Sequence, residues 1–205
     1  MASDIAQPGS QPDLRKKPRR PVTSTLGLIV NPVLRLTKLE AAQRQLSRAI
    51  RMLFSEDDPV CTHTLAGAAA ILLADLVEHH LPGSTWEEKV QRDNNLAPPE
   101  YFKIARRAQN FLKHARDDAT DTLEFNPSDT DALLTIAVFN ASELVPLSPE
   151  ANVFQLWSLA LLCPRDMVNE PPFSEAIAYF GDLHSIDRSA QLAAGQKGLR
   201  EYASQ

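Results

Sequence analysis

The fold is decided by the stretch Asp58–Gly83, DPVCTHTLAGAAAILLADLVEHHLPG. An aspartate followed by proline is typical of a helix start, because the carboxylate can accept unpaired backbone N–H groups and proline has none to satisfy. The Pro-Gly pair at 82–83 ends the pattern, so the sequence predicts a helix over about 59–80. Its apolar residues are spread widely and include many alanines, which let neighbouring helices approach from several sides. We expect this helix to lie at the centre of a helical bundle.

Helix signals continue on both sides of this stretch. Thr37–Glu40 has the form of a capping box, and apolar residues follow it at spacings of three and four, which predicts a helix over about 38–55. Ser84–Glu87 and Ser128–Asp131 have a similar form. The other predicted helices are a short one after Ser84, then about 98–117, 129–145 and 149–163, with a less regular pair over about 174–183 and 186–203. No long alternating run predicts a sheet, so we predict a single-domain, all-α bundle of about six to seven helices.

The N-terminal segment differs in composition from the rest. Residues 1–24 are rich in proline, serine and glutamine and contain RKKPRR at Arg15–Arg20, so we predict a disordered basic tail. Residues 25–36, TLGLIVNPVLRL, predict an extended arm or a short strand, and residues 37–205 the helical bundle domain. The basic run is either an electrostatic tether to nucleic acid or an acidic partner, or a solvated tail that aids solubility.

Charge is divided unevenly along the chain. Residues 1–36 hold six Lys and Arg against two Asp, whereas the whole chain holds 21 Lys and Arg against 26 Asp and Glu. The bundle domain is therefore acidic, which is unfavourable for sequence-independent binding to a phosphate backbone. The sequence has no run of about eighteen apolar residues and no secretory pattern, so we predict a cytoplasmic protein that does not span a membrane. Cys61 and Cys163, within apolar helical segments, are predicted to be buried and reduced.

The local exception to this acidity is RRAQNFLKHARDD at Arg106–Asp118, together with the lysine just before it. Several cations are concentrated here on one predicted helix. The candidate binding residues are Lys103, Arg106, Arg107, Lys113 and Arg116. A cluster of this kind favours an acidic protein, a nucleotide or RNA as the partner.

The periodicity of this predicted helix separates its side chains into two faces, at about 100° per residue. The polar stripe consists of Lys103, Arg107, Asn110 and His114. The neighbouring apolar stripe, which we expect to face the core, consists of Tyr101, Ile104, Ala108, Phe111 and Ala115. The polar stripe would therefore border the buried side of the helix, where a histidine can be half desolvated.

Arg107 and His114, separated by six residues, resemble the arginine-histidine signature of the HEPN superfamily of small all-helical domains. The resemblance covers this helix closely and the remainder only as a helical bundle. It implies metal-independent RNA cleavage, with His114 as the general acid/base and Arg107 stabilising charge on the phosphate. Asn110 would replace the polar residue that often follows the arginine in that superfamily. Seven residues rise about 10.5 Å along a helix, so a two-fold dimer would have to bring Arg107 of one chain to His114 of the other.

The alternative for His114 is a boundary residue that hydrogen-bonds Asp117 or Asp118, without a catalytic role. The remaining residues predict no metal site and no cofactor. Cys61 and His63 point about 200° apart on their helix, and the chain has no Gly-rich phosphate loop, no Gly-x-Ser-x-Gly elbow and no Cys-x-x-Cys pair.

Two late segments, 153–163 and 176–186, are rich in leucine and aromatic residues. They predict either core helices or a face used in self-association. Together with the basic cluster, they favour a non-catalytic binding or scaffold module that forms a homodimer or other homo-oligomer. The alternative function is a HEPN-like, metal-independent ribonuclease or toxin-type RNase.

Overall fold

A computed structural model of the chain describes residues 33–116 and 118–204. By its internal contacts the chain divides into Met1–Arg35 and Leu36–Gln205, and all of the described helices lie in the second unit. The predicted tail, and the predicted arm up to residue 32, lie outside the described residues. The described end of the arm, 33–36, is exposed and has no regular secondary structure.

The described part of the chain is all-α, which confirms the predicted fold class. Its helices are α1 (Lys38–Phe54), α2 (Pro59–His80), α3 (Trp86–Asp93), α4 (Pro98–Ala105), α5 (Arg107–Lys113), α6 (Asp129–Leu144), α7 (Pro149–Leu162), α8 (Phe173–Phe180) and α9 (Arg188–Tyr202), with a 3₁₀ turn at Leu183–Ser185. The predicted number of six to seven helices is wrong, since nine α-helices are present in the described residues. The number is higher because the predicted helix 98–117 is two helices and both late segments form.

The predicted start of α1 is confirmed in atomic detail. The Glu40 N–H donates to Thr37 Oγ1 at 3.1 Å, and the Thr37 N–H donates to Glu40 Oε2 at 2.8 Å, which completes the capping box. At the start of α2, Asp58 Oδ1 accepts from the Cys61 N–H at 2.8 Å. Two of the strongest sequence signals therefore mark the ends that they predicted.

The predicted start of α3 is wrong by one residue. Thr85, not Ser84, is the N-cap, and its hydroxyl accepts from the Glu88 N–H at 3.3 Å. Glu88 therefore occupies the third position after the N-cap, which the sequence pattern predicts for Glu87. The shift turns Glu87 towards the interior, where it is 8% exposed. The predicted box at Ser128 is also wrong, because the Ser128 side chain makes no cap hydrogen bond.

The apolar core lies between α1, α2, α6, α7 and α9. Phe54 packs against Phe154 and Trp157, with ring centroids 6.0 and 5.3 Å away, and all three side chains are buried. A methyl group added to Gly195 of α9 would overlap the Phe54 ring, so glycine is what allows α9 to approach this closely. The core thus combines many aliphatic side chains with one cluster of three aromatic rings, against which α9 packs closely.

Helix α2 packs against α1, α5 and α6, in agreement with its predicted central position. By length and composition α2 could cross a membrane, but half of its most apolar window is buried inside the bundle. Cys163 is buried as predicted, whereas Cys61 is exposed because it lies in the first turn of α2. Both thiols are free.

The predicted single helix over 98–117 is wrong. The chain leaves helical geometry at Arg106, resumes as α5, and becomes extended at His114. No glycine or proline causes the break. It reorients α5 so that Gln109, the one buried residue of that helix, packs against Gly67 of α2. The predicted apolar face is wrong at Ile104, which is 69% exposed, and at Ala115, which is also exposed. Its other three members are half-buried, and the predicted polar stripe is exposed.

Candidate functional site

The basic surface consists of Lys103 and Arg106 near the end of α4, Arg107 and Lys113 on α5, and Arg116 just after α5. Four of these side chains are exposed, and that of Arg106 is half-buried. The Arg106 guanidinium carbon lies 4.1 Å from the centroid of the Phe102 ring, which holds it over an aromatic face. The five predicted binding residues therefore lie on one short region of the chain, divided between two helices.

No cation of the basic surface forms an ion pair with a carboxylate of the described residues. The ion pairs of the described residues involve cations outside the basic surface. Examples are Lys89 with Glu143 at 2.8 Å and Arg188 with Asp131 at 2.7 Å. Burial lowers the pKa of Lys113, and the positive charge of Arg106 lowers it further. Like charges are thus close enough to affect one another, which favours an incoming anion.

An exposed aliphatic side chain lies within this charged surface. Ile104 is flanked along the chain by Lys103 and Arg106 and is 69% exposed, more than any other large apolar side chain in the described helices. Its neighbour Phe102 is half-buried beneath Arg106. The surface therefore offers both positive charge and apolar contact area.

The predicted catalytic residues Arg107, Asn110 and His114 are all exposed. Arg107 is the first residue of α5 and His114 is the residue after its last, so their α-carbons are separated by about 10.5 Å along the axis. The His114 side chain makes no hydrogen bond to Asp118 or to other described residues, and Asp117 lies outside them. The two groups are therefore at opposite ends of one short helix.

A buried carboxylate that the sequence analysis missed lies beneath this surface. Asn140 Nδ2 donates to Glu87 Oε2 at 2.8 Å, and the Trp86 N–H donates to Asn140 Oδ1 at 2.9 Å. Burial raises the pKa of Glu87, while the hydrogen bond from Asn140 and the charge of Arg106 oppose the shift. Burial, with a smaller contribution from the negative charge of Glu87, raises the pKa of Tyr101 to about 12.

These groups support the basic surface from below. Asn140 joins α3 to α6 through its hydrogen bonds to Glu87 and Trp86, and the charge of Glu87 acts on Tyr101 of α4 and on Arg106. The signal for this cluster was present in the sequence, since Thr85 and Glu88 form an equally good capping box. With that box chosen, Glu87 falls on the inner face of α3.

A shallow, open groove of about 620 Å³ lies beside this cluster, between α3 and the start of α4. Its lining is Glu88, Gln91, Arg92, Asn95, Leu96, Ala97 and Pro98. The lining contains no nucleophile with an adjacent base, so the groove offers no arrangement for covalent catalysis. Among the residues that the structure describes, no group of three His, Cys, Asp or Glu side chains could hold a metal ion.

Comparison with known proteins gives no match: neither a family model, nor a curated protein, nor a solved structure is similar to this chain.

Proposed function

We propose that the protein is a non-catalytic binding module whose basic surface binds an acidic protein segment. The observation that carries the proposal is the set of five cations that pair with no carboxylate of the described residues, although the domain as a whole is acidic. Surface charges left unneutralised in this way raise the local concentration of anions and steer their approach. An acidic segment would supply the missing counter-charge.

The exposed Ile104 favours a protein partner over a nucleic acid. Complete burial of an isoleucine side chain contributes about 1.5–3 kcal/mol, which a leucine or phenylalanine of the partner could provide and a phosphate backbone could not. A nucleic acid would also have to approach a domain whose net charge is negative. The partner that fits best is thus an acidic segment that carries one large apolar residue.

The proposal is tested by the binding of a labelled Asp- and Glu-rich peptide with a central leucine, measured by fluorescence anisotropy at low and moderate salt. A variant with Lys103→Glu and Arg107→Glu should bind about tenfold more weakly, because it places negative charge where the partner is negative. The binding of the wild type should also weaken as salt is added.

A variant with Arg165→Glu and Arg200→Glu is the matched control, since both arginines are exposed and lie outside the basic surface. It changes the net charge by the same amount, so its affinity should stay within about twofold of the wild type. Equal weakening in the two variants would reduce the effect to net charge and would contradict a defined binding surface. A single-stranded RNA that binds more tightly than the peptide would contradict the choice of a protein partner.

The HEPN-like ribonuclease is the second candidate, and the exposure of Arg107, Asn110 and His114 favours it. In this alternative a dimer brings Arg107 of one chain to His114 of the other. Its test is cleavage of labelled single-stranded RNA in the presence of EDTA, by the wild type and by a His114→Ala variant of equal melting temperature. Cleavage that only the wild type performs supports the ribonuclease, and no cleavage by either protein contradicts it.

Self-association is a further part of the proposal. Leu162 at the end of α7, Val168 in the following loop and Tyr179 on α8 are exposed apolar side chains from neighbouring segments. Such side chains support contact with a second copy of the chain. Sedimentation equilibrium of the wild type and of a Leu162→Glu variant tests this, since we expect a dimer that the variant weakens; a monomeric wild type would contradict it.

A further inference from the structure

The helix α5 is attached to the bundle by a polar contact. Gln109 is 2% exposed and packs on Gly67 of α2, where an added methyl group would overlap the end of its side chain. Gln109 is the one buried residue of this seven-residue helix, and Ala108, Phe111 and Leu112 are half-buried beside it, so the contact with Gly67 is part of what fixes the position of α5. A methyl group at position 67 would therefore displace the Gln109 amide from its present position.

One turn earlier on the same face of α2, His63 holds the chain that follows α5. His63 is 2% exposed, and its Nδ1 lies 3.0 Å from Thr130 Oγ1 on α6. Its ring meets that of Phe125 edge to face, with centroids 5.0 Å apart. Residues 63 and 67 thus anchor both α5 and the later connector around Phe125.

This interface is less well satisfied than the apolar core. His63 Nε2 and Gln109 Nε2 are buried and have no hydrogen-bond partner among the described residues. A buried polar atom without a partner costs about 1–3 kcal/mol, so the two atoms weaken the docking of α5. Regions held in this way open before the global unfolding of a protein.

We propose that α5 and the connector residues 123–127 form a flap that is latched to α2 through Gln109 and His63, and that protonation of His63 releases it. An imidazolium at this buried position would need solvent or a carboxylate, and opening the flap supplies solvent. Release separates Arg107 and Lys113 from Lys103, so the basic surface is dispersed at low pH. Only this last consequence rests on the proposed function.

The direction of the effect follows from the surroundings of His63. Burial lowers its pKa, and the negative charge of Asp129, at the start of α6, opposes this only in part. The residues that contact the His63 ring, Phe125 of the connector and Thr130 of α6, carry no charge. The opened state takes up the proton more readily, so the closed state is fully stable above pH about 6.5 and loses stability as the pH falls below that value.

The test is amide hydrogen exchange at pH 7.5 and 5.5, corrected for intrinsic rates. The opening equilibrium constant of the α5 and 123–127 amides should increase about tenfold at the lower pH, as expected when opening takes up one proton over about one pH unit. The opening constant of α7 amides should change less than about twofold. His63→Asn keeps an N–H donor for Thr130 and takes up no proton, so its α5 exchange should not depend on pH. His184→Gln changes an exposed histidine and should retain the wild-type dependence.

If His63→Asn does not fold, the wild type alone decides. The imidazole titration of His63 in the closed state, followed by NMR, should have its midpoint below pH about 6.5, the value below which α5 exchange begins to increase. No change in α5 exchange, or an equal change in α5 and α7, would overturn the latch. Binding of the acidic peptide at both pH values is a separate measurement: absent binding at pH 7.5 contradicts the proposed function and leaves the exchange result to decide the latch.

Discussion

Two helices of this protein approach their neighbours over a glycine, with opposite chemistry. In the core, Gly195 of α9 admits the ring of Phe54, which is enclosed by Phe154 and Trp157. At the edge, Gly67 of α2 admits the amide of Gln109, one of whose atoms has no partner among the described residues. The first contact removes apolar surface from water, whereas the second places polar groups where water is excluded.

This difference separates stability from function. The aromatic contact buries three large apolar side chains, and such burial stabilises the folded state. The polar contact positions a short helix that carries Arg107 and Lys113, two of the five cations of the basic surface. The proposed latch would let this helix open without unfolding of the domain.

The largest expected effect is that of Gly195→Ala. The added methyl group would overlap the Phe54 ring, which has no free space, so we expect a loss of about 1–3 kcal/mol in the free energy of unfolding, measured by urea denaturation. Combining it with Phe54→Leu should cost less than the sum of the two single changes. If the free energy of unfolding of Gly195→Ala equals that of the wild type, the comparison fails, because the core would then accept an added methyl group as readily as the edge does.

A smaller and more local effect is expected for Gly67→Ala. The methyl group displaces only the end of Gln109, and alanine favours the helix by about 1 kcal/mol, so the free energy of unfolding should change by less than about 1 kcal/mol. The α5 amides should nevertheless exchange at least about tenfold faster. A uniform increase in exchange across α1 and α7 would show that α5 is not a separate unit.

Glu87→Gln sharpens the comparison within the polar region. Burial raises the pKa of Glu87 above that of an ordinary glutamate. The free energy of unfolding of the wild type should therefore fall as the pH rises from the ordinary pKa to the raised one. Glutamine keeps an oxygen for Asn140 and removes the buried charge, so the variant should be at least as stable as the wild type at pH 7 and should lose that pH dependence. Denaturation at pH 5 and 7 checks this, and a loss of more than about 1 kcal/mol at pH 7 would contradict it.

The smallest effect on stability is expected for Ile104→Ser. Because the side chain is 69% exposed, the free energy of unfolding should change by no more than about 0.5 kcal/mol. Affinity for the acidic peptide should still fall about tenfold if Ile104 is buried by the partner. A larger loss in the free energy of unfolding of this variant would show that Ile104 contributes to the core. An unchanged affinity for the peptide would show that Ile104 is not part of the binding surface.

Much of the fold could be predicted from sequence because its signals are local. Thr37 with Glu40 and Asp58 with Pro59 each lie within four residues, and they give the starts of α1 and α2. The start of α3 was placed at Ser84, although Thr85 with Glu88 fits the same pattern, and with Thr85 as N-cap Glu87 is buried against Asn140. That contact joins residues 53 positions apart and leaves no local trace.

The site was predicted only in part for the same reason. The basic residues could be found by composition, but the break at Arg106 has no local signal, and the contact of Gln109 with Gly67 joins residues far apart in the sequence. A uniform helical periodicity therefore assigned Ile104 to the core and joined Arg107 to His114 on one face. The lack of hydrogen-bond partners at His63 Nε2 and Gln109 Nε2, among the described residues, likewise results from tertiary packing and cannot be predicted from a sequence pattern.

The central claim is tested most directly by titrating the acidic, leucine-containing peptide into ¹⁵N-labelled protein at pH 7.5 and following each backbone amide by NMR. We expect chemical shift changes confined to α4, α5 and the residues that immediately follow, and their loss in the variant with Lys103→Glu and Arg107→Glu. Shift changes centred on α7 and α8, or none at saturating peptide, would contradict the assignment of the basic surface as the binding site.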